Sequence, residues 1–348
     1  MRCNCCVMTD RVKGVKIDKD GKCSYCSGKK KDLWVKYYKI SENKKIKLRN
    51  KLEVVYKSIK GKSSYDCILL LSGGKDSSYL LYHLVVERKL KVLAVHINVL
   101  FERPIAMKNI RRLQKKIRFD LKVIDPGKAF YRMFYKTLFL NPDKGGYYDT
   151  VCKSCTFFYI GEALKVAMDK KVPIVFVGFS PYQLTTHSFF EFGLPLISKK
   201  TWIPNIFNTS RFSKRFKSHF WDPLRYPKGT IFPRIIAPLQ VMKYSEEEVI
   251  RVLSDKNILP RHNLPSLKTN CDLLYPIVYL DTKLLGYNPF VKEYSYLIRN
   301  GLARRDFWRE VFRKDEIGIV LDVFKRKEIG SVGKILGLDI FKLSRKRL

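Results

Sequence analysis

Residues 65–84 read YDCILLLSGGKDSSYLLYHL, and the reading of this stretch decides the fold. The apolar run CILLL reads as a buried strand, with Cys67 packed inside it. It runs directly into Ser72-Gly73-Gly74-Lys75-Asp76-Ser77, and a helical apolar pattern of Leu80, Leu81 and Leu84 follows at once. That context is what a phosphate cradle requires. Two glycines let the backbone turn sharply and bring its N–H groups close to an anion, and the following helix adds unpaired N–H groups and the positive end of its dipole. Ser72 and Ser77 supply hydroxyl donors, Lys75 offsets phosphate charge, and Asp76 is placed to hold magnesium. A Walker loop is excluded, because it needs four residues between its glycines and Ser or Thr after the lysine, where this chain has Asp76. A plain Gly-Gly turn between strand and helix would not ask for Ser, Lys, Asp and Ser together.

Outward from the loop, short apolar runs alternate with amphipathic stretches. After CILLL and a helix from Ser77 come VLAVHINVL, a helix around Ile105 to Ile117, LKVID, a helix near Tyr159 to Met168, and PIVFVGF. Strands alternating with helices predict an α/β fold, a doubly wound parallel sheet with helices on both faces. Ligands of such sheets sit at the carboxyl ends of the strands. Val95, His96 and Asn98, ending the second strand, and Gly178 with Phe179, ending PIVFVGF, are therefore expected to line an adenosine pocket. For each, ordinary strand-end packing is the alternative, and for His96 the two readings stand level.

The loop is complete as Ser-Gly-Gly-x-Asp-Ser and so resembles the signature of the PP-loop ATP pyrophosphatase superfamily. The resemblance implies cleavage of ATP between its α and β phosphates, pyrophosphate held by the loop, and AMP passed to a substrate oxygen. Lys75 and Asp76 are then the catalytic candidates on the loop, and ATP and Mg2+ the expected ligands.

Nine cysteines fall into groups. Cys3 and Cys6 with Cys23 and Cys26 form two Cys-x-x-Cys knuckles, a spacing that suits a closed tetrahedral zinc site, with Cys5 as a surplus thiol able to replace a neighbour. The stretch CNCCVMTD with DKDGKCSYC, followed by the loop segment, looks like the start of the N-acetyl sugar amidotransferases of surface polysaccharide synthesis. Cys152 and Cys155 form a third Cys-x-x-Cys just before a helix, and Cys271 lies far downstream. Three thiolates leave one iron of a 4Fe-4S cluster open for sulfide. The order of phosphate loop, Cys-x-x-Cys and distant single Cys is similar to that of the iron-sulfur tRNA thiolation enzymes, so the two resemblances disagree about the atom transferred. A second zinc site, a thiolate nucleophile pair at Cys152 and Cys155, and simple burial of Cys271 are the alternatives.

The 348 residues carry 69 Lys and Arg against 32 acids, a formal charge of +37, which gathers polyanions: nucleic acid first, an anionic membrane surface or polysaccharide precursor second, with a basic host proteome as the bland explanation. Residues 199–234 concentrate the pattern, with Arg211, Lys214, Arg215 and Lys217 flanking Phe212, Phe216 and Phe220, and read as an inserted surface element. Cations for phosphates and rings for unstacked bases is one reading; buried rings under solvated cations is the other. Without a basic-then-apolar start or a long apolar run, the chain is expected to be cytoplasmic. The expected organisation is a zinc knuckle module at 1–30, a linker helix at 31–64, the ATP-binding domain at 65–198, the basic aromatic insertion and a helix capped by Ser245 and Glu248 at 199–260, and a helical basic region at 261–348 ending in LSRKRL. The functional expectation is adenylation of a substrate oxygen followed by sulfur transfer to tRNA with a separate sulfur donor. Amidation of an N-acetyl sugar with ammonia from a partner glutaminase is the second reading.

Overall fold

The structure, a computed structural model, describes residues 1–30, 42–179, 191–192, 197–261 and 270–344. The beginning of the expected linker and the last four residues of the basic tail lie outside these. The chain divides into two compact units, one made of Ser41–Tyr131 and Ser154–Cys271, the other of Met1–Ile40, Arg132–Lys153 and Asp272–Leu348.

The first unit is built on a sheet of six strands in the order β3-β2-β1-β4-β6-β5. They are β1 (Cys67–Leu70), β2 (Val92–Ile97), β3 (Asp120–Ile124), β4 (Ile174–Val177), β5 (Glu191–Phe192) and β6 (Arg234–Ile236). All pairings are parallel except that of β5 on β6. The chain starts in the middle of the sheet, moves outward to β2 and β3, then crosses to the other side of β1 to lay down β4. That reversal is the mark of a doubly wound sheet and creates a crevice at the carboxyl ends of β1 and β4. The four long apolar runs of the sequence are β1 to β4. The short β5 and β6 carry no comparable run, and only their pairing makes them strands.

Helices α1 (Glu42–Ile59), α2 (Lys75–Tyr82), α3 (Pro104–Lys116), α4 (Lys128–Leu140), α5 (Lys153–Asp169) and α6 (Glu246–Asp255) belong wholly or in part to this unit. Apolar residues at helical spacing, such as Ile110 and Leu113 of α3, Leu81 of α2 and Leu253 of α6, pack with Leu69, Leu71 and Phe176 of the sheet into one core. Cys67 is fully buried there, as expected of a packing residue. Each fully buried Leu or Ile of this kind contributes about 1.5–3 kcal/mol. Ser245 caps α6 by accepting from the Glu248 backbone N–H, and the helix stops before Pro260.

The second unit is helical: α7 (Leu274–Leu285), α8 (Val291–Arg299), α9 (Arg305–Val320) and α10 (Arg326–Leu336). Its core joins the N-terminal cysteines to the C-terminal helices, with Cys3, Cys6, Val7 and Cys23 packed among Tyr287, Val291 and Phe312. Among the described residues no helix is long and apolar enough to cross a membrane.

Candidate functional site

Leaving β1, the backbone turns at Gly73, whose φ is +70°. A Cβ at Gly73 would stand 2.3 Å from the Ala106 carbonyl oxygen, and Asn109 donates to the Gly73 carbonyl at 2.9 Å, so the start of α3 buttresses the turn. Only glycine tolerates that combination of dihedral and contact. Gly74 is the N-cap of α2 and receives no side-chain cap, which leaves the amino end of the helix facing the crevice. Ser72 and Ser77 close the loop on itself, their hydroxyls 3.0 Å apart, with the Ser72 N–H donating to Ser77 Oγ at 3.2 Å. Gly178, at the end of β4, abuts the loop so closely that a Cβ would lie 2.8 Å from Ser77 Cα. The carboxyl ends of β1 and β4 thus meet at Ser77.

The charges of the loop are held by residues far away in sequence. Asp76 is buried; its Oδ1 accepts from the Tyr244 hydroxyl at 2.5 Å and its Oδ2 from Lys75 Nζ at 2.8 Å. Lys75 also lies 3.3 Å from Glu246, at the start of α6. Burial alone would lower the Lys75 pKa, but the two carboxylates outweigh it and raise it, so the ammonium stays charged. An acid and a base are presented side by side above a bed of N–H groups, a donor set that suits a polyphosphate with its divalent cation.

The neighbouring strand end divides between packing and exposure. Val95 is fully buried and pairs with Leu70, so its side chain belongs to the sheet. His96 is buried too: Nδ1 donates to the Leu71 carbonyl at 2.9 Å and Nε2 lies 3.1 Å from Glu102. Burial disfavours the imidazolium, yet the Glu102 carboxylate and the carbonyl outweigh it and raise the pKa. Asn98 is exposed and donates to Asp125 at 2.9 Å. Gln240 donates to the Phe179 carbonyl at 2.8 Å, which fixes the backbone just past Gly178.

Cys271 stands beside the loop. It bridges Glu102 in antiparallel fashion, and the preceding Asn270 donates to the Ser72 carbonyl at 3.3 Å. Cys155 is buried in the first turn of α5, a helix that runs back toward the start of β4 and therefore begins at the carboxyl edge of the sheet. Its Sγ donates to the Tyr159 hydroxyl at 2.5 Å. Cys152 closes a turn, Tyr148–Cys152, in the helical unit, where the buried Asp281 of α7 accepts from the Tyr147 and Tyr148 N–H groups at 2.6 and 2.9 Å.

The knuckle is a second centre. The ligand atoms of Cys3, Cys6, Cys23 and Cys26 all lie within 4.8 Å of one another, a set able to hold a metal ion. Cys6 Sγ is 3.8 Å from Cys23 and 3.6 Å from Cys26. Tetrahedral coordination with metal–sulfur bonds of about 2.3 Å gives edges of roughly 3.8 Å. The N–H groups of Cys5, Met8 and Cys23 donate to the sulfurs at 3.2–3.4 Å, and Arg299 approaches Cys6 at 3.6 Å, which suits thiolates. Bonds from Cys26 and Cys6 drive the Cys23 pKa down, while Cys6 is pushed up to about 11, first by its bond to Cys23. Cys5 is exposed and outside the set.

The basic aromatic segment overturns one expectation. Phe212, Phe216, Phe220, Trp202 and Trp221 are at most 7% exposed, so these rings are core and offer no face to a base. Phe216 and Phe220 pack on Phe130, Phe220 also on Phe158 of α5, and Trp221 Nε1 donates to the Ile197 carbonyl at 2.8 Å. The cations Arg211, Lys214 and Arg215 stay at the surface. Composition alone does not distinguish rings that stack on a ligand from rings that stack on one another.

Tyr244, Glu246, Asn109, Asn270 and Glu102 are functional neighbours that sequence reasoning missed. Tyr244 and Glu246 flank the capping Ser245, a local signal for a helix start and not for a site; the others carry none.

No family model matches the chain. It is 24% identical over 321 residues to the uncharacterized protein MJ1599 of Methanocaldococcus jannaschii, which spans 91% of this chain and 95% of that protein. Among solved structures it is similar to the U34-tRNA thiolase NcsA from Methanococcus maripaludis with its 4Fe-4S cluster, at 18% identity and a TM-score of 0.36 over 76% of this chain and 80% of that one. It is likewise similar to NMN synthetase from Francisella tularensis, at 12% identity and a TM-score of 0.36 over 76% of this chain and 93% of that one.

Proposed function

We propose that this chain is a PP-loop ATP pyrophosphatase that adenylates a substrate oxygen, and that its reaction is sulfur transfer to tRNA. The observation that carries the reading is the loop Ser72–Ser77 at the crevice between the ends of β1 and β4, with Lys75 and the Tyr244-bound Asp76 side by side. The triphosphate is held by the N–H groups of the turn, the hydroxyls of Ser72 and Ser77 and the ammonium of Lys75. Asp76 would hold magnesium, which would neutralise phosphate charge. The substrate oxygen attacks the α phosphorus, the new O–P bond forms, and the bond to pyrophosphate breaks. AMP then leaves with the substrate's original oxygen when the incoming nucleophile bonds to the same carbon.

The choice of sulfur rests on Cys155, buried at the carboxyl edge, and Cys271, tethered beside the loop. Both would serve as thiolate ligands of a 4Fe-4S cluster, which would supply an open iron for sulfide. The knuckle Cys3, Cys6, Cys23 and Cys26 would hold zinc; four thiolates leave no open position, so its role is structural. tRNA and a sulfur donor are the partners of this reading.

Two measurements test it. Pyrophosphate release from ATP in the presence of bulk tRNA should fall by roughly 10²–10³-fold in Asp76→Ala, and normal release by that variant would remove the adenylation reading. Protein purified without oxygen should contain iron and sulfide as well as zinc. Zinc alone would turn the assignment toward nitrogen transfer to an N-acetyl sugar with a partner glutaminase.

A further inference from the structure

We infer that the exposed face of α3 is a rail for the backbone of an RNA, leading along the sheet unit to the phosphate loop. The helix reads PIAMKNIRRLQKK and contains no acid. Lys108, Arg111, Arg112, Lys115 and Lys116 are all exposed, while Ala106, Asn109, Ile110 and Leu113 are buried. At 100° per residue the five cations fall on one stripe opposite the buried one, with successive turns about 5–6 Å apart. None of the five has a carboxylate or hydrogen-bond partner among the described residues. Elsewhere the surface cations of helices are commonly paired within their own helix, as Arg251 is with Glu248 and Arg313 with Glu310. Five unpaired charges on one helix repel one another and weaken it slightly, a cost that a bound polyanion removes.

The helix is fixed to the site. Ala106 presses on Gly73, and Asn109 donates to the Gly73 carbonyl, so Lys108 lies on the exposed side of the helical turn that buttresses the phosphate loop, and the rest of the stripe leads away from it. The other polyanionic surface, an anionic membrane, holds a basic helix firmly when an apolar face also enters the lipid. Here that face is spent: Ile110 and Leu113 are fully buried in the core of the sheet unit. Five point charges without exposed rings read phosphate and not base, so the contact is predicted to be insensitive to sequence. The choice of RNA rests on the proposed tRNA reaction; the rail itself rests on the helix.

The test compares salt dependence. Bulk tRNA binding is measured against salt for the wild-type chain, for a neutralised variant with Lys108→Gln, Arg111→Gln, Arg112→Gln, Lys115→Gln and Lys116→Gln, and for a charge-preserving variant with Lys and Arg exchanged at the same five positions. Neutralisation should lower the slope of log K against log salt by about 4, at close to one phosphate per cation. The charge-preserving variant should keep the wild-type slope, and ATP binding without RNA should be unchanged in both. An unaltered slope in the neutralised variant overturns the rail, as does loss of binding to phosphatidylserine vesicles with tRNA binding retained. RNA binding that needs the helix in a chain unable to release pyrophosphate would support the rail and remove the adenylation reading, so the two fail separately.

Discussion

The knuckle and the phosphate loop both aim backbone N–H groups at an anion, but they complete themselves in opposite ways. In the knuckle the anions are the chain's own sulfurs, the N–H groups of Cys5, Met8 and Cys23 are already spent on them, and the cluster is packed into a core. In the loop, the uncapped end of α2 faces a crevice, and the acid that sits there is held by Tyr244, 168 residues away. A site that satisfies itself is a structural staple, whereas one that leaves donors unsatisfied is waiting for a ligand.

The comparison is broken most forcefully at the knuckle. Cys23→Ser with Cys26→Ser should remove the proposed zinc and with it much of the roughly 10 kcal/mol that a structural zinc contributes to folding. The helical unit should then melt early, because the knuckle shares its core with Val291 and Phe312. Metal analysis with thermal unfolding checks this; an unchanged melting profile of the zinc-free variant would refute the staple.

At the loop, Asp76→Ala should reduce pyrophosphate release by roughly 10²–10³-fold, the scale of losing one placed charge at a reacting centre. Folding should survive, which circular dichroism would establish. Gly178→Ala sharpens the same point without touching a charge. Its methyl would press on Ser77 Cα at 2.8 Å, so ATP affinity should fall by about tenfold or more while the loop's acid and base remain. Equal affinity in this variant would mean that the end of β4 does not shape the cradle.

Tyr244→Phe removes one hydroxyl from Asp76 and should cost about 1 kcal/mol, or several-fold in rate, with a smaller change in KM than in kcat. The smallest effect belongs to His96. Its pKa is raised above 6.5 in the folded chain, so its pairing with Glu102 stabilises fully below about pH 6.5 and is lost as pH rises through the folded value. His96→Gln should flatten that part of the stability–pH curve; a curve identical to wild type would show that the pair contributes nothing.

Much of the loop was legible because its determinants are adjacent. A strand, two glycines and a helix dictate the turn wherever the chain carries them, and the steric demand at Gly73 is local in sequence even though Ala106 enforces it. The knuckle was legible for the same reason, since two Cys-x-x-Cys pairs turn back on themselves whatever follows. The aromatic segment was not. Phe216 looks identical in sequence whether its ring faces a base or Phe130, and only packing chose Phe130. Likewise α3 reads simply as an amphipathic helix until the structure fastens its amino end to Gly73.

The sequence by itself determined the strand–loop–helix unit, the alternation that yields a parallel sheet, and the four-cysteine knuckle, because each rests on local patterns whose dihedral and hydrogen-bonding preferences act before any fold exists. Only the tertiary structure decided which distant residues meet at the site: Tyr244 on Asp76, Glu246 near Lys75, Gly178 on Ser77 and Asn270 on Ser72. Those contacts carry no periodicity and no composition. They exist because a doubly wound sheet gathers the carboxyl ends of its strands at one edge, and that gathering is a property of the assembled sheet and of no single segment.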